Sequence, residues 1–438
     1  MTPAARLSAA IDILAEIETR RRPAADALKD WGLSHRFAGS GDRAAIAGLV
    51  FDALRRRASS GYIMDEQSPR AILLGMLRLE RRLSTDAIAE LASGARFAPA
   101  PLAPNERERI EAADLTHAPP WVAGDYPQWL DPHLARAFGE DRAAEGAGLA
   151  SRAPLDLRVN LLKAERDKAA AALAHLHPAP TPWSPFGLRI PLAAGAKNPA
   201  VHAEPAFIKG LVEVQDEGSQ VAALLTAAKP GEQAIDLCAG AGGKALVLAM
   251  IMSNSGQVYA TDLDKRRLAP IHARLARAGV HNVQVRTPRT RREEHESLLA
   301  DLQHRADLVL IDAPCTGTGA WRRNPDAKWR VRPGALALRL EEQRELLGRA
   351  AALVKPGGRL AYVTCSLLVE ENQEQVRGFL GGEPRFTALP PAQVAAALGE
   401  RAASFCEAAR RSPEGLLMTP RRTQTDGFFV SLLVKQAG

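Results

Sequence analysis

Two cysteines stand where apolar runs end, and these runs read as buried strands. Cys315 follows the run 309–311 after a short Asp-Ala-Pro segment, and Cys365 follows the run 360–364 directly. In an open parallel sheet, ligands and reacting groups gather at the carboxyl ends of the strands. We therefore take the two thiols as the main candidates for the chemistry of this chain.

A glycine-containing loop follows an earlier apolar run, 234–237, and predicts a nucleoside pocket. The candidate cofactor residues in and before this loop are Asp236, Cys238, Ala239, Gly240, Ala241, Gly242, Gly243 and Lys244. Glycines allow the backbone to approach a ligand closely. Asp262, after the next predicted strand, could accept hydrogen bonds from both hydroxyls of a ribose.

The loop leaves two cofactor classes open. Gly240 and Gly242, with Ala245 and the later Asp262, resemble a dinucleotide fingerprint. A carboxylate ahead of the loop, at Asp236, suits the amino group of S-adenosylmethionine instead. A phosphate-binding P-loop is excluded, because cysteine stands where that motif needs its first glycine.

The composition predicts a multidomain protein of the cytoplasm. Its net charge is compatible with a nucleic-acid partner, and equally with arginine-rich solvated faces. The chain has 438 residues and a net charge of +7, which suits two or three domains and an acidic partner. The positive charge is concentrated in arginine clusters: 20–22, 55–57, 291–292, 322–323 and 421–422. We expect no membrane partner, since we find neither a secretory signal nor an apolar stretch of spanning length.

Four scattered cysteines predict free thiols and no metal site, with Cys406 a core residue.

The apolar pattern changes along the chain and predicts four parts. Residues 1–95 have helical spacing, and 96–150 form a proline-rich linker with further helices. Residues 151–215 begin with strand-like alternation and predict a small α+β unit. In 216–438 strands alternate with helices, which predicts an α/β fold with a parallel sheet, closed by an antiparallel hairpin near the C-terminus.

Five separated segments, in order, resemble motifs of the RNA cytosine-5 methyltransferases of the Nop/Sun class. They are 214–220, 236–244, 312–315 continued by 322–329, 364–366 with 370–372, and 425–429. The resemblance implies a class I methyltransferase, Rossmann-like sheet, S-adenosylmethionine as cofactor, and RNA as substrate. The helical N-terminal region is similar in placement to the NusB-like domain of the bacterial ribosomal RNA members, so we expect ribosomal RNA. The presence of both thiols favours the RNA enzymes over the DNA enzymes of this chemistry, so we expect no DNA. We also expect a monomer.

The resemblance also assigns roles. Cys365 corresponds to the nucleophile, which adds to C6 of cytosine, and Cys315 to the thiol that assists release. Asp312 corresponds to a residue that reaches the cofactor or the amino group of the base. The cations that follow the Pro-Cys motif, Arg322, Arg323 and Lys328, are expected to hold RNA phosphates.

The chain departs from the family pattern at three places. Ala241 replaces a common proline, Ala245 replaces a common threonine, and the third motif, 284–289, lacks the usual aspartate. Three other functions stay open: a transfer RNA methyltransferase of the same chemistry, a catalytically idle RNA-binding or assembly factor, and a dinucleotide oxidoreductase. The last gives no role to both thiols.

Overall fold

A computed structural model describes residues 1–192, 199–288 and 297–437. These residues form two compact units. The first unit comprises 1–152 and 321–332, and the second comprises 153–192, 199–288, 297–320 and 333–437. The predicted division into four parts stays a prediction. The basic pair 291–292 and the end of the third motif, Arg289, lie outside the described residues.

Helices build the first unit. They are Pro3–Arg20, Ala24–Ser34, Ser40–Arg55, Arg57–Met64, Pro69–Leu79, Thr85–Leu91, Pro104–Glu111, Pro120–Ala123, Asp131–Phe138, Arg142–Ala150 and Ala327–Arg330. Local sequence explains their starts: Ser68 accepts a hydrogen bond from the Ala71 backbone N–H, ahead of proline at the first helical position. Apolar faces such as Leu7, Ile46 and Leu73 meet in one core.

The segment 321–332 completes the first unit although it is distant in sequence. The Lys328 ammonium donates to the backbone carbonyls of Arg55, at 2.9 Å, and Asp125, at 2.6 Å. The Trp329 indole N–H donates to the Leu54 carbonyl at 2.7 Å. These bonds satisfy carbonyls near the ends of two helices, so the segment is part of the helical fold.

A small antiparallel sheet opens the second unit. Its strands are β1 (Leu155–Val159), β2 (Ala179–Pro180), β3 (Gly187–Ile190) and β4 (Val212–Val214), in the spatial order β2-β3-β1-β4. Leu157 and Val159, from the alternating run that predicted a strand, are fully buried in the main core of the unit.

The second, larger sheet carries the candidate site. Its strands are β5 (Gln233–Asp236), β6 (Gln257–Ala260), β7 (Val283–Val285), β8 (Ala306–Asp312), β9 (Val354–Thr364), β10 (Phe386–Ala388), β11 (Arg410–Ser412), β12 (Gly415–Met418) and β13 (Phe428–Lys435). The order is β11-β12-β13-β9-β8-β5-β6-β7, with β10 beside β13. Strands β5 to β9 pair in parallel, whereas β12 and β13 close the sheet antiparallel. The predicted fold class is confirmed.

Helices flank this sheet and connect its parallel strands. The helices of the second unit are Arg166–Ala172, Pro205–Ile208, Glu217–Leu224, Gly243–Ile251, Lys265–Leu268, Ile271–Ala278, Pro333–Leu353, Gln373–Gly382, Pro391–Ala395, Ala402–Ala408 and Pro420–Thr423. Among the described residues of both units, no helix combines the length and the apolar character needed to cross a bilayer.

The register of the parallel strands places three strand ends side by side. Asp236 of β5 lies opposite Leu310 of β8, and Asp312 of β8 lies opposite Val363 of β9. Leu310 and Val363 are fully buried, as expected for parallel strands covered on both faces. The glycine loop and both cysteine loops therefore leave the sheet at the same edge.

Candidate active site

The structure brings the two predicted thiols together. Cys315 follows the end of β8 and Cys365 follows β9 directly, and their Sγ atoms are 3.3 Å apart. The Ala313 N–H donates to the Val363 carbonyl at 2.8 Å, and the Gly319 N–H donates to the Cys365 carbonyl at 2.9 Å. Both cysteines are half-buried free thiols, so the pair lies in a partly enclosed site.

The environment of Cys315 favours its protonated form. Its hydrogen bond with Cys365 and its burial raise the pKa of the Cys315 thiol well above the ordinary value. A thiol must ionise before it can act as a nucleophile. Cys315 is therefore suited to hold or exchange a proton.

The glycine loop takes a backbone conformation that requires glycine. Gly240 and Gly242 have φ angles of +50° and +82°, in the region that residues with a side chain rarely adopt. A Cβ added at Gly242 would lie 2.4 Å from Cγ1 of Ile271. Asp262 accepts the Gly240 N–H with one carboxylate oxygen and the Asp264 N–H with the other, both at 2.9 Å. Each oxygen keeps a second lone pair, which a ribose hydroxyl could use.

Asp236 has the properties expected of a residue that binds an ammonium group. It is fully buried, and neither carboxylate oxygen has a hydrogen-bond partner among the described residues. Burial, followed by the nearby Asp312 carboxylate, raises the pKa of Asp236 to about 7. A buried carboxylate without a partner is costly, and the α-ammonium group of S-adenosylmethionine would relieve that cost. The residues present therefore fit this cofactor.

We expect the affinity for S-adenosylmethionine to fall as the pH is lowered through 7. Below that pH the free protein holds Asp236 protonated, and a neutral carboxyl group cannot pair with the ammonium group. Isothermal titration calorimetry should give a dissociation constant about tenfold higher at pH 6 than at pH 8.

The matched variants are Asp236→Asn and Asp307→Asn. The first should bind weakly at both pH values without this pH dependence. The second changes a carboxylate near the amino end of β8, which accepts the Gln233 N–H, and should keep the full dependence. An Asp236→Asn protein with the wild-type pH profile would contradict the assignment.

Lys244 and Asp312 connect the cofactor loop with the first cysteine loop. The Lys244 ammonium donates to Oδ2 of Asp312 at 2.6 Å and lies 4.9 Å from the centre of the Phe428 ring. Lys244 is buried, whereas one third of the Asp312 side chain is exposed. The exposed part of this carboxylate leaves room for a ligand. Burial, followed by the nearby carboxylates, raises the pKa of the Cys238 thiol well above its ordinary value, so this thiol stays protonated.

Arginines that sequence reasoning missed hold the back of the glycine loop. Arg158 donates to the Gly243 carbonyl at 3.0 Å, and Arg274 donates to the Ala241 carbonyl at 2.8 Å. Glu213 lies opposite Arg158 in the β1–β4 register and accepts a hydrogen bond from Arg274 at 3.1 Å. These bonds use two carbonyls of the loop and hold its backbone in place. The sequence analysis assigned no role to Arg158.

Comparison with known proteins decides the family. The family model described as 16S rRNA methyltransferase RsmB/F matches residues 223–434. Ribosomal RNA small subunit methyltransferase B of Sodalis glossinidius is 34% identical over 340 residues, which cover 77% of this chain and 69% of that protein. The probable enzyme of the same name from Synechocystis is 31% identical, covering 71% and 67%. This chain belongs to the RsmB/F family of methyltransferases.

Solved structures agree with membership of the RsmB/F family. The crystal structure of PH0851 superposes with a TM-score of 0.70 at 25% identity and covers 99% of both chains. A methyltransferase homologue from Pyrococcus horikoshii superposes with a TM-score of 0.57 at 27% identity, covering 72% of this chain and 97% of its own. The predicted resemblance is confirmed, and S-adenosylmethionine is the cofactor, which excludes the dinucleotide interpretation of the loop.

The three cations expected on RNA lie in the first unit of this RsmB/F protein. Lys328 is 1% exposed and Arg322 is 3% exposed. The Lys328 ammonium is already used on two backbone carbonyls, and burial lowers its pKa to about 7. This position corrects the expectation that Lys328 holds a phosphate: its role here is structural. Arg323 is half-buried and stays a predicted RNA contact.

Arg286 lies in the stretch where the resemblance implied an aspartate after the third strand. Arg286 directly follows β7, and its guanidinium lies 4.6 Å from the centre of the Tyr259 ring. It also binds both carboxylate oxygens of Asp301, at 2.5 and 2.8 Å. The Asp301 carboxylate is thus held at the end of β7 by its pairing with Arg286. The position of Asp301 in the sequence gave no indication of this pairing.

Proposed function

We propose that this chain methylates C5 of a cytosine in 16S ribosomal RNA through a covalent bond between Cys365 and C6 of the base. The observation that carries the proposal is the pair of thiols 3.3 Å apart at the end of β8 and β9. Further support comes from the bond between Lys244 and Asp312, which joins the cofactor loop to the end of β8, the strand that precedes Cys315. The named relatives of the chain act on the RNA of the small ribosomal subunit.

In the proposed reaction, the Cys365 thiolate donates an electron pair to C6 and forms a sulfur–carbon bond. The electrons of the C5–C6 double bond then make C5 a nucleophile, which covalent catalysis achieves more easily than direct attack. Bound S-adenosylmethionine supplies the electrophilic methyl group that C5 takes up. A base then removes the C5 proton, the double bond forms again, and the sulfur–carbon bond breaks to return the Cys365 thiolate.

The remaining side chains have supporting roles in this proposal. Cys315 acts in the release step, where its thiol exchanges a proton beside the leaving sulfur. Asp312, fixed by Lys244, accepts a hydrogen bond from the exocyclic amino group of cytosine. The target base must be unstacked to reach such a site, so we expect a loop or an unpaired residue as substrate. We further propose that the chain acts in the cytoplasm as a monomer, on RNA rather than DNA.

Bisulfite sequencing tests the proposal against its alternatives. Purified protein, S-adenosylmethionine and total RNA from a strain lacking this gene should give one newly protected cytosine in 16S ribosomal RNA. Protection in transfer RNA alone would favour the transfer RNA enzyme. Binding of 16S RNA without methylation, under conditions where S-adenosylmethionine binds, would favour an idle assembly factor.

A further inference from the structure

We propose that Glu371 is a positioning residue that holds both cysteine loops in the arrangement needed for catalysis. Glu371 ends the 3₁₀ turn Val369–Glu371 and is fully buried. Its Oε1 atom accepts the Thr316 N–H at 2.8 Å, and its Oε2 atom accepts the Thr316 hydroxyl at 2.5 Å. The Ser366 hydroxyl also donates to Oε2. One carboxylate thus binds the residues that directly follow Cys315 and Cys365.

Neighbouring side chains extend this network to the other sides of the two loops. Gln343, from the helix Pro333–Leu353, donates to the Pro314 carbonyl at 2.9 Å and to Glu371 at 3.1 Å. Asn372 donates to the Ser366 carbonyl at 2.9 Å and accepts the Thr364 hydroxyl at 2.6 Å. Residues on both sides of each cysteine are therefore fixed around Glu371.

A carboxylate suits this place better than any neutral side chain. The Glu371 oxygens receive four donors: the Thr316 N–H, the Thr316 hydroxyl, the Ser366 hydroxyl and the Gln343 amide. An ionised carboxylate accepts on both oxygens and donates nothing, whereas an amide presents two N–H groups of its own. A glutamine at this position would place its own N–H groups against the donors that the second carboxylate oxygen now accepts. A buried donor left without an acceptor costs about 1–3 kcal/mol.

The charge of Glu371 also acts on Cys315. It opposes ionisation of Cys315, adding to the larger effects of the hydrogen bond with Cys365 and of burial, which raise the pKa of Cys315. Glu371 thereby helps to keep the proton on Cys315. The catalytic meaning of this step rests on the function proposed above.

Alkylation of Cys315 provides a test that needs no RNA. In a Cys365→Ser background, the rate of Cys315 modification by iodoacetamide is measured against pH by mass spectrometry, with and without Glu371→Gln. We expect the added change to move the midpoint to a lower pH, because it removes a negative charge that opposes ionisation of Cys315. The control is Glu342→Gln, which removes an exposed carboxylate paired with Arg339 on the helix Pro333–Leu353. This change should leave the midpoint unchanged.

Activity provides the second measurement. In the otherwise native protein, Glu371→Gln should lower kcat at least about tenfold, as expected when reacting groups lose their alignment, without changing the dissociation constant of S-adenosylmethionine. If that variant does not fold, Thr316→Val removes one donor and should lower kcat severalfold. Unchanged alkylation and a kcat within twofold would overturn the proposal. If Glu371→Gln shifts the alkylation midpoint while the wild-type protein methylates no RNA, the proposed function is refuted and the positioning role stands.

Discussion

Cys365→Ala is expected to abolish methyl transfer to 16S ribosomal RNA. Alanine cannot add to C6, and without that bond C5 of cytosine is too poor a nucleophile to accept the methyl group. Loss of a covalent nucleophile lowers kcat by at least about 10³-fold in enzymes of comparable mechanism. Transfer of tritium from labelled S-adenosylmethionine to the RNA measures the effect directly.

The control for this result is another cysteine of the second unit. Cys406→Ala changes a thiol buried in the core around β12 and β13 and should retain methyl transfer. Both variants should bind S-adenosylmethionine as the wild type does, because neither residue contributes to the cofactor loop. Substantial methyl transfer by Cys365→Ala would exclude the proposed nucleophile.

Cys315→Ala is expected to trap the protein on its RNA. Attack and methyl transfer require the other thiol, so the bond to C6 still forms, whereas release is slow. A protein–RNA adduct should appear as a slowly migrating band on a denaturing gel. We expect turnover to fall by at least about 100-fold, within the range for loss of a general acid or base.

A double variant identifies the bond in that band. Cys315→Ala combined with Cys365→Ala should give no adduct, because no thiol is left at the ends of β8 and β9. Normal turnover of Cys315→Ala without any adduct would show that release does not depend on this thiol. An adduct in the double variant would locate the covalent bond elsewhere.

The parts of the site that could be predicted from the sequence depend on local patterns. A buried apolar run followed by a cysteine gives both the strand and the position of the thiol at its end, as for Cys315 and Cys365. The positive φ angles of Gly240 and Gly242 likewise follow from the choice of glycine in a strand-to-helix turn. In these cases neighbouring residues determine the geometry.

The parts that could not be predicted depend on tertiary partners. We expected Lys328 to hold an RNA phosphate, but its ammonium group is buried and bonded to the carbonyls of Arg55 and Asp125. Glu371 appeared only within a family motif, and its four donors come from three separate elements. Arg158 acquires its role only when β1 and β4 pair and the glycine loop lies against them. Sequence patterns give the periodicity of an element but not which distant residue meets it.

The discontinuous first unit has a consequence for the order in which the protein folds during synthesis. Its N-terminal helices leave the ribosome early, but Lys328 and Trp329, which satisfy carbonyls within them, come much later. At translation rates of roughly 5–20 residues per second, the delay is on the order of ten seconds or more. During this time the helical unit lacks the bonds of Lys328 and the packing of Trp329 against its core. We expect the unit to gain its final stability only after residue 332 has emerged.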